Sequence, residues 1–135
     1  MQKILVLPQI HKDALIGHAE RNFPNESCAL LFGNEKDGTF EVSDVFLAEN
    51  QDDSPINFTI SNEDLLKGYQ EADARGLDVI GIFHSHPHSE ARPSSTDRKF
   101  MEVNPVAWLI FSNKLDQLNA YVLESDVVQI AIKLV

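Results

Sequence analysis

The sequence predicts an α/β fold, a mixed β-sheet sandwich flanked by about three helices. Three observations carry that expectation. Amphipathic helical patterns occur once early, once in the middle and once just after a strand ending in two histidines, with about seven or eight strand-like runs in total. The run Asp78 to His86 is apolar at both parities until its end, as expected of a central strand covered on both faces. At 135 residues and 43% hydrophobic content the chain can bury one ordinary core, so residues 1–135 are expected to form a single domain.

Lys3 to Leu7 is a short apolar strand, and Pro8 suits the edge of a helix. In the segment that follows, Leu15, Ile16, Ala19 and Phe23 share one side of a helical wheel, the face expected to pack on a sheet. His11 and His18 flank that face; histidines in such places are ordinarily exposed or hydrogen-bonded, and they stay outside the candidate site. Pro24 disfavours helical geometry at Phe23 and ends the helix, and Glu26 follows directly. Ser27 to Phe32 reads as a buried strand closed by Gly33. Cys28, the single cysteine, has no partner for an internal disulfide and is expected to behave as a small buried apolar residue.

After a polar turn, Thr39 to Leu47 forms a longer strand whose change of parity between Val42 and Val45 predicts a bulge. Ala48 to Pro55 is an exposed loop, and the alternation of Ile56, Phe58 and Ile60 with polar residues predicts a strand with one buried face. Ser61 to Asp64 starts a helix with acids in its first turn, Leu65, Leu66, Tyr69 and Ala72 form its buried stripe, and Arg75-Gly76 ends it. Beyond the histidine strand, Pro93-Ser94 opens a short helix to about Val103. Val106 to Phe111, Leu118 to Leu123 and Val127 to Val135 complete the strands.

Composition narrows the function classes. Twenty-one acids against 11 bases give a formal net charge of -10, which disfavours long contact with a nucleic-acid backbone, a mode driven by clustered Lys and Arg. A neutral or basic protein partner fits better. Pro8 and His11 interrupt the apolar start, so no signal peptide is expected, and no later stretch is long enough to cross a bilayer. A soluble, cytoplasmic protein without nucleic-acid or membrane partners is expected.

The chemistry concentrates between Gly81 and Asp97. His84 and His86 are two apart on a strand, so both imidazoles leave one face, expected also to carry Ile80 and Ile82, and Pro87 ends the strand. Asp97, in the first turn of the next helix, can return a carboxylate to the same point. Two histidines and a carboxylate leave one position open for water, the arrangement of catalytic zinc; a structural site more often has a fourth protein ligand. Ser94 can also be read as a helix N-cap with Asp97 as its capping-box partner, although an Asp97 committed to metal is not expected to reach back to the cap. His88, Ser89 and Glu90 are read as rim or substrate contacts.

His84-x-His86-Pro87, six residues, then Ser94-x-x-Asp97, with Glu26 upstream between a helix and a strand, resembles the JAMM motif of the MPN+ metalloproteases. The likeness extends over most of the chain in the order of its elements. It implies the MPN architecture, similar to that of cytidine deaminases, and one zinc ion held by His84, His86 and Asp97. It also implies Glu26 as general base for a zinc-bound water and Ser94 as oxyanion donor. The implied reaction is cleavage of a peptide or isopeptide bond at the C-terminal tail of a ubiquitin-like or sulfur-carrier protein. The chain is compact, with Ala48 to Pro55 as its one modest loop, and so resembles the short prokaryotic or archaeal branch. Two alternatives stand beside that reading: a metallohydrolase that trims a small adduct from a sulfur-carrier tail, and a non-catalytic MPN scaffold. The oligomeric state is not legible.

Overall fold

The computed structural model describes residues 2–135. Its elements, in order, are β1 (Ile4–Leu7), α1 (Gln9–Asn22), β2 (Cys28–Lys36), β3 (Thr39–Ala48), α2 (Asn62–Ala74), β4 (Asp78–His86), α3 (Ser95–Val103), β5 (Ala107–Ser112), β6 (Gln117–Leu123) and β7 (Val127–Leu134). The α/β class, three helices and mixed sheet agree with expectation. The sandwich does not: β1 pairs in parallel with both β3 and β7, closing the sheet as a barrel in the order β1-β3-β2-β4-β5-β6-β7. Closure through β1 rests on pairing between segments distant in the chain, at Thr39–Glu41 of β3 and Ala131–Leu134 of β7, and carries no local signature.

Helix α1 covers one side of the sheet, where Leu15 and Ala19 join Leu5, Leu31, Phe83 and Leu109 in a buried cluster. Helices α2 and α3 cover the other, where Ala72 and Met101 join Leu30, Phe32, Trp108 and Ile110. The strand β4 lies between the two clusters, hydrogen-bonded to β2 on one side and β5 on the other.

Two bulges decide which side chains face which cluster. Phe32 pairs with Asp44 and Gly33 with Val42, leaving Ser43 as the extra residue, so Val42 and Val45 both face the α1 side, as their parity predicts. In β4, Gly81 pairs with Leu31 and Val79 with Phe32, leaving Ile80 extra. Ile80 therefore packs on the α1 side while Ile82 packs on the α2/α3 side. The expectation that both underlie the histidines is corrected: Ile82 shares their face and Ile80 does not.

Three further expectations change. Ile56 to Ile60 forms no strand; the segment is an irregular loop that exposes Ile56 and packs Phe58 and Ile60 against the α2/α3 cluster. Phe23 caps the end of α1 and is half exposed, with its ring against His88 at 5.5 Å. In α2 the packing face is Leu65, Gly68 and Ala72, with Leu66 and Tyr69 exposed. A Cβ at Gly68 would stand 2.5 Å from Leu30 Cδ1, so the glycine permits the close approach and at the same time breaks the apolar stripe. Among the described residues no helix is long and apolar enough to cross a membrane.

Candidate metal centre

The site lies where β4 ends. His84 pairs with Cys28 of β2 and Ile110 of β5, which fixes its backbone from both sides. Ser85, between the two histidines and pointing to the opposite face, is tied to the start of β2: Ser27 N–H donates to Ser85 Oγ at 2.8 Å, the two hydroxyls are 2.9 Å apart, and Ser85 N–H donates to Ser27 O at 3.0 Å. This buried pair locks Glu26, the residue before Ser27, into register with the histidines. Sequence reasoning missed it, since two serines far apart in the chain give no signal.

On the α2/α3 side three atoms converge. His84 Nε2 is 3.0 Å from His86 Nε2, and Asp97 Oδ2 is 3.1 Å from each. All three residues are buried. His86 Nδ1–H donates to Glu90 O at 2.8 Å, which orients its ring and turns Nε2 to the centre. His84 is held by packing instead: Phe58 stacks on its ring at 4.8 Å, Trp108 meets it edge-on at 5.8 Å, and its Nδ1 is buried without a partner.

The electrostatics ask for positive charge among these atoms. Burial pushes His84 below its ordinary value. Burial acts on His86 in the same sense, but the hydrogen bonds with Asp97 and the Glu90 carbonyl outweigh it and raise His86. Burial alone would raise Asp97; the bonds to both histidines and to Ser94 N–H outweigh it and hold the carboxyl well below the usual range. A proton on His86 and a metal cation are the two ways to supply that charge, so they compete. The separations of 3.0 and 3.1 Å resemble the roughly 3.3 Å between neighbouring ligands of a tetrahedral zinc with bonds of about 2.0–2.1 Å. Two imidazoles and a carboxylate are also the donor types zinc favours, and the residues fit the ion.

Glu26 is the second carboxylate at the centre. Its oxygen and the ring nitrogens of His84 and His86 lie within 4.8 Å of one another, and its Oε1 is buried without a partner. Two carboxylates thus stand near one pair of histidines, and the distances separate them: Asp97 is at 3.1 Å from both rings and held ionised. Burial, reinforced by the charge of Asp97 and opposed by His86, pushes Glu26 up to about 8. Its backbone is clamped by the loop after β3, with Glu26 N–H donating to Ser54 O at 2.8 Å and Asn50 Nδ2 donating to Glu26 O at 3.0 Å.

Asn50 is buried and fully used. Besides Glu26 O, its amide donates to Asn57 O at 2.9 Å, and its Oδ1 accepts from Asp52 N at 3.0 Å and Thr59 N at 3.1 Å. It therefore holds the loop that carries Phe58 onto His84 and at the same time holds the backbone of Glu26. In the sequence it is one polar residue within a polar loop.

Ser94 caps α3: its Oγ accepts from Asp97 N–H at 3.0 Å and its own N–H donates to Asp97 Oδ2 at 2.9 Å, a complete capping box. Asp97 Oδ2 thus reaches back to the cap while it also meets the two histidine nitrogens. A carboxylate oxygen has room for more than one partner, and Oδ2 faces both. Because Ser94 Oγ accepts at the cap, its hydroxyl hydrogen stays free to donate.

His11 and His18, set aside from the sequence, contact backbone carbonyls, at Ser43 for His11 and at Cys28 and Ala48 for His18. Cys28 is buried and free, its thiol pushed up to about 12 by burial. His88, Ser89 and Glu90 line a cavity of about 550 Å³ that opens onto His86 and Ser94.

Residues 8–124 match the family described as prokaryotic homologs of the JAB domain. A desampylase of Pyrococcus furiosus is 36% identical over 110 residues, spanning 82% of this chain and 75% of that protein. A CysO-cysteine peptidase of Mycobacterium bovis is 27% identical over 111 residues, with the same coverage of 82% and 75%. A protein of Desulfitobacterium hafniense, solved in solution, superposes with a TM-score of 0.86 at 27% identity over 98% of this chain and 92% of that one. The chain belongs to the JAMM/MPN+ metalloprotease family, in its compact prokaryotic JAB branch.

Proposed function

We propose that the protein is a zinc-dependent isopeptidase of the cytoplasm, a single domain over residues 1–135, that cleaves amide bonds made by the C-terminal tail of a ubiquitin-like or sulfur-carrier protein. One observation carries the reading: His84, His86 and Asp97 converge within 3.1 Å beside the unpartnered, buried carboxylate of Glu26. Relatives named desampylase and CysO-cysteine peptidase support the substrate class.

His84, His86 and Asp97 would hold the metal, Asp97 in preference to Glu26 because it is nearer both rings and kept ionised. Zinc held there would supply Lewis acidity, would lower the pKa of a bound water to about 7, and by its charge would oppose the burial that raises Glu26. Glu26 takes the proton of the attacking water at its free Oε1 and gives it to the departing amine. The water oxygen stays on the carbonyl carbon, the C–N bond breaks, and a carboxylate and an amine leave. Ser94 donates its free hydroxyl hydrogen to the carbonyl oxygen as negative charge develops there. Asn50 and Ser54 keep Glu26 in place from behind.

The test is incubation of the zinc-loaded protein with ubiquitin-like fusions and isopeptide conjugates, with mass spectrometry of the products. Glu26→Gln should retain stoichiometric zinc and lose about 10²–10⁴-fold in rate. Full activity in that variant overturns the mechanism. A native protein that takes up no zinc would instead favour the scaffold reading.

A further inference from the structure

We infer that His18 is a positioning residue of the site: from α1 its imidazole clamps the strand ends that lead into the Glu26 and Asn50 segments, and so sets where the Glu26 carboxylate stands against the histidine pair. This rests on the hydrolase reading above and adds a residue that acts through the general base without touching substrate or metal.

The need for a clamp follows from how Glu26 is held. Its N–H donates to Ser54 O at 2.8 Å and its carbonyl accepts from Asn50 Nδ2 at 3.0 Å, so the loop after β3 holds it. That loop can place Glu26 only as firmly as it is itself placed against β2. The two meet at the last pair of the β2/β3 ladder, Cys28 with Ala48; Ser27 and Glu26 precede the one, and Glu49 and Asn50 follow the other. Ladder ends are where strands open most readily. On the β4 side the Ser27–Ser85 pair secures this end of β2.

On the β3 side His18 does so. Its Nε2 is 3.0 Å from Cys28 O and 3.0 Å from Ala48 O. Carbonyl oxygens only accept, so Nε2 carries the hydrogen and donates it to both. Burial pushes the ring below its ordinary value, against the pull of the two carbonyls, so the imidazole is neutral and Nδ1 is an acceptor. Asn22, the last residue of α1, brings its Nδ2 to 3.3 Å from Nδ1 and donates to His18 O at 2.8 Å, which fixes the ring from its other side. Cys28 also pairs with His84. The clamp therefore stands on the row Ala48, Cys28, His84, and joins α1 to the strand that carries two of the proposed metal ligands.

The same helix carries a matched control. His11 Nε2 is 3.0 Å from Ser43 O, another carbonyl of β3, but Ser43 sits at the bulge, away from the strand end that leads to Asn50. Two histidines of one helix thus make the same kind of bond to one strand, and His18 is the one that touches the end holding the base.

The experiment compares His18→Phe and His11→Phe, which each keep a ring and withdraw the donor, with His18→Gln, whose amide nitrogen can donate from about the same place. On an isopeptide conjugate of a ubiquitin-like protein, zinc-loaded His18→Phe should lose about 10–100-fold in kcat, with KM and zinc stoichiometry near native. His18→Gln should recover most of that loss, and His11→Phe should keep native kcat. Asn22→Ala, which leaves the ring unheld at Nδ1, should lower kcat by about two- to tenfold, and it reads the same clamp if His18→Phe does not fold. Hydrogen exchange of the metal-free protein gives a readout independent of activity. In His18→Phe the amides of Glu26 and Ser27 should lose about two- to tenfold in protection, while Leu109 and Ala120 of the β5/β6 ladder stay at native values. Native kcat in His18→Phe, an equal loss in His11→Phe, or no recovery in His18→Gln overturns the inference and leaves the hydrolase intact. Cleavage of no conjugate by the zinc-loaded native protein removes the hydrolase reading and this inference with it.

Discussion

Ser94 and Asp97 each serve two ends. The Ser94 hydroxyl caps α3 and is the proposed oxyanion donor, and substitution can separate these roles. Ser94→Ala should cost about 1 kcal/mol in stability, whereas glycine, a tolerable N-cap, should cost only a few tenths. Both should lose about 10²–10³-fold in kcat. Urea denaturation and steady-state kinetics on the two variants check this; activity returning with stability in the glycine variant would reduce Ser94 to a cap. Glu26 supplies a pH signature of the metal-free protein. Its folded pKa of about 8 lies above the 4.5 of an unperturbed carboxyl, so between those values the folded state binds more protons than the unfolded one. The contribution is therefore fully present below pH 4.5 and is lost as pH rises through 8. Metal-free protein should lose on the order of a few kcal/mol across that window, and Glu26→Gln should flatten this part of the dependence.

At the scale of elements, the loop between β3 and α2 is the piece most easily misjudged. The alternation of Ile56, Phe58 and Ile60 has the period of a strand, yet the segment pairs with no strand of the sheet. The loop folds around Asn50 instead, and its apolar residues pack on the α2/α3 side. Because Asn50 joins this loop to the backbone of Glu26, Asn50→Ala should lower kcat by about 10–100-fold with a much smaller change in KM. It should leave zinc stoichiometry unchanged and cost about 1–3 kcal/mol for the partners left unpaired. Loss of zinc together with activity would point to general unfolding of the centre instead. The bulge at Ser43 was legible because Val42 and Val45 both need the core; that at Ile80 was not, because β4 is apolar at both parities and either face accepts an isoleucine.

For the whole molecule, the closed sheet and its two apolar clusters do not depend on the metal centre, which lies at one end of β4. Chelation should therefore leave a folded protein of lower melting temperature. Restored zinc should add stability that grows with its free concentration, about 2.7 kcal/mol at a hundredfold excess over Kd, and raise the melting temperature accordingly. Scanning calorimetry with and without chelator checks it; complete unfolding on chelation would mean that the centre, and not the clusters, holds the barrel together.

The sequence by itself determined the class of the fold, the three helices, most strands and the residue types for a metal-dependent hydrolase, because these are local. They are read from period, from turn residues and from the spacing of His84, His86, Ser94 and Asp97 within one stretch. The tertiary structure decided what depends on distant segments meeting. It closed the sheet through β1, drew Glu26 to within 4.8 Å of the histidine nitrogens, and let one oxygen of Asp97 face both cap and centre. Those arrangements arise from backbone pairing and buried hydrogen bonds between residues far apart in the chain, which leave no periodic trace in it.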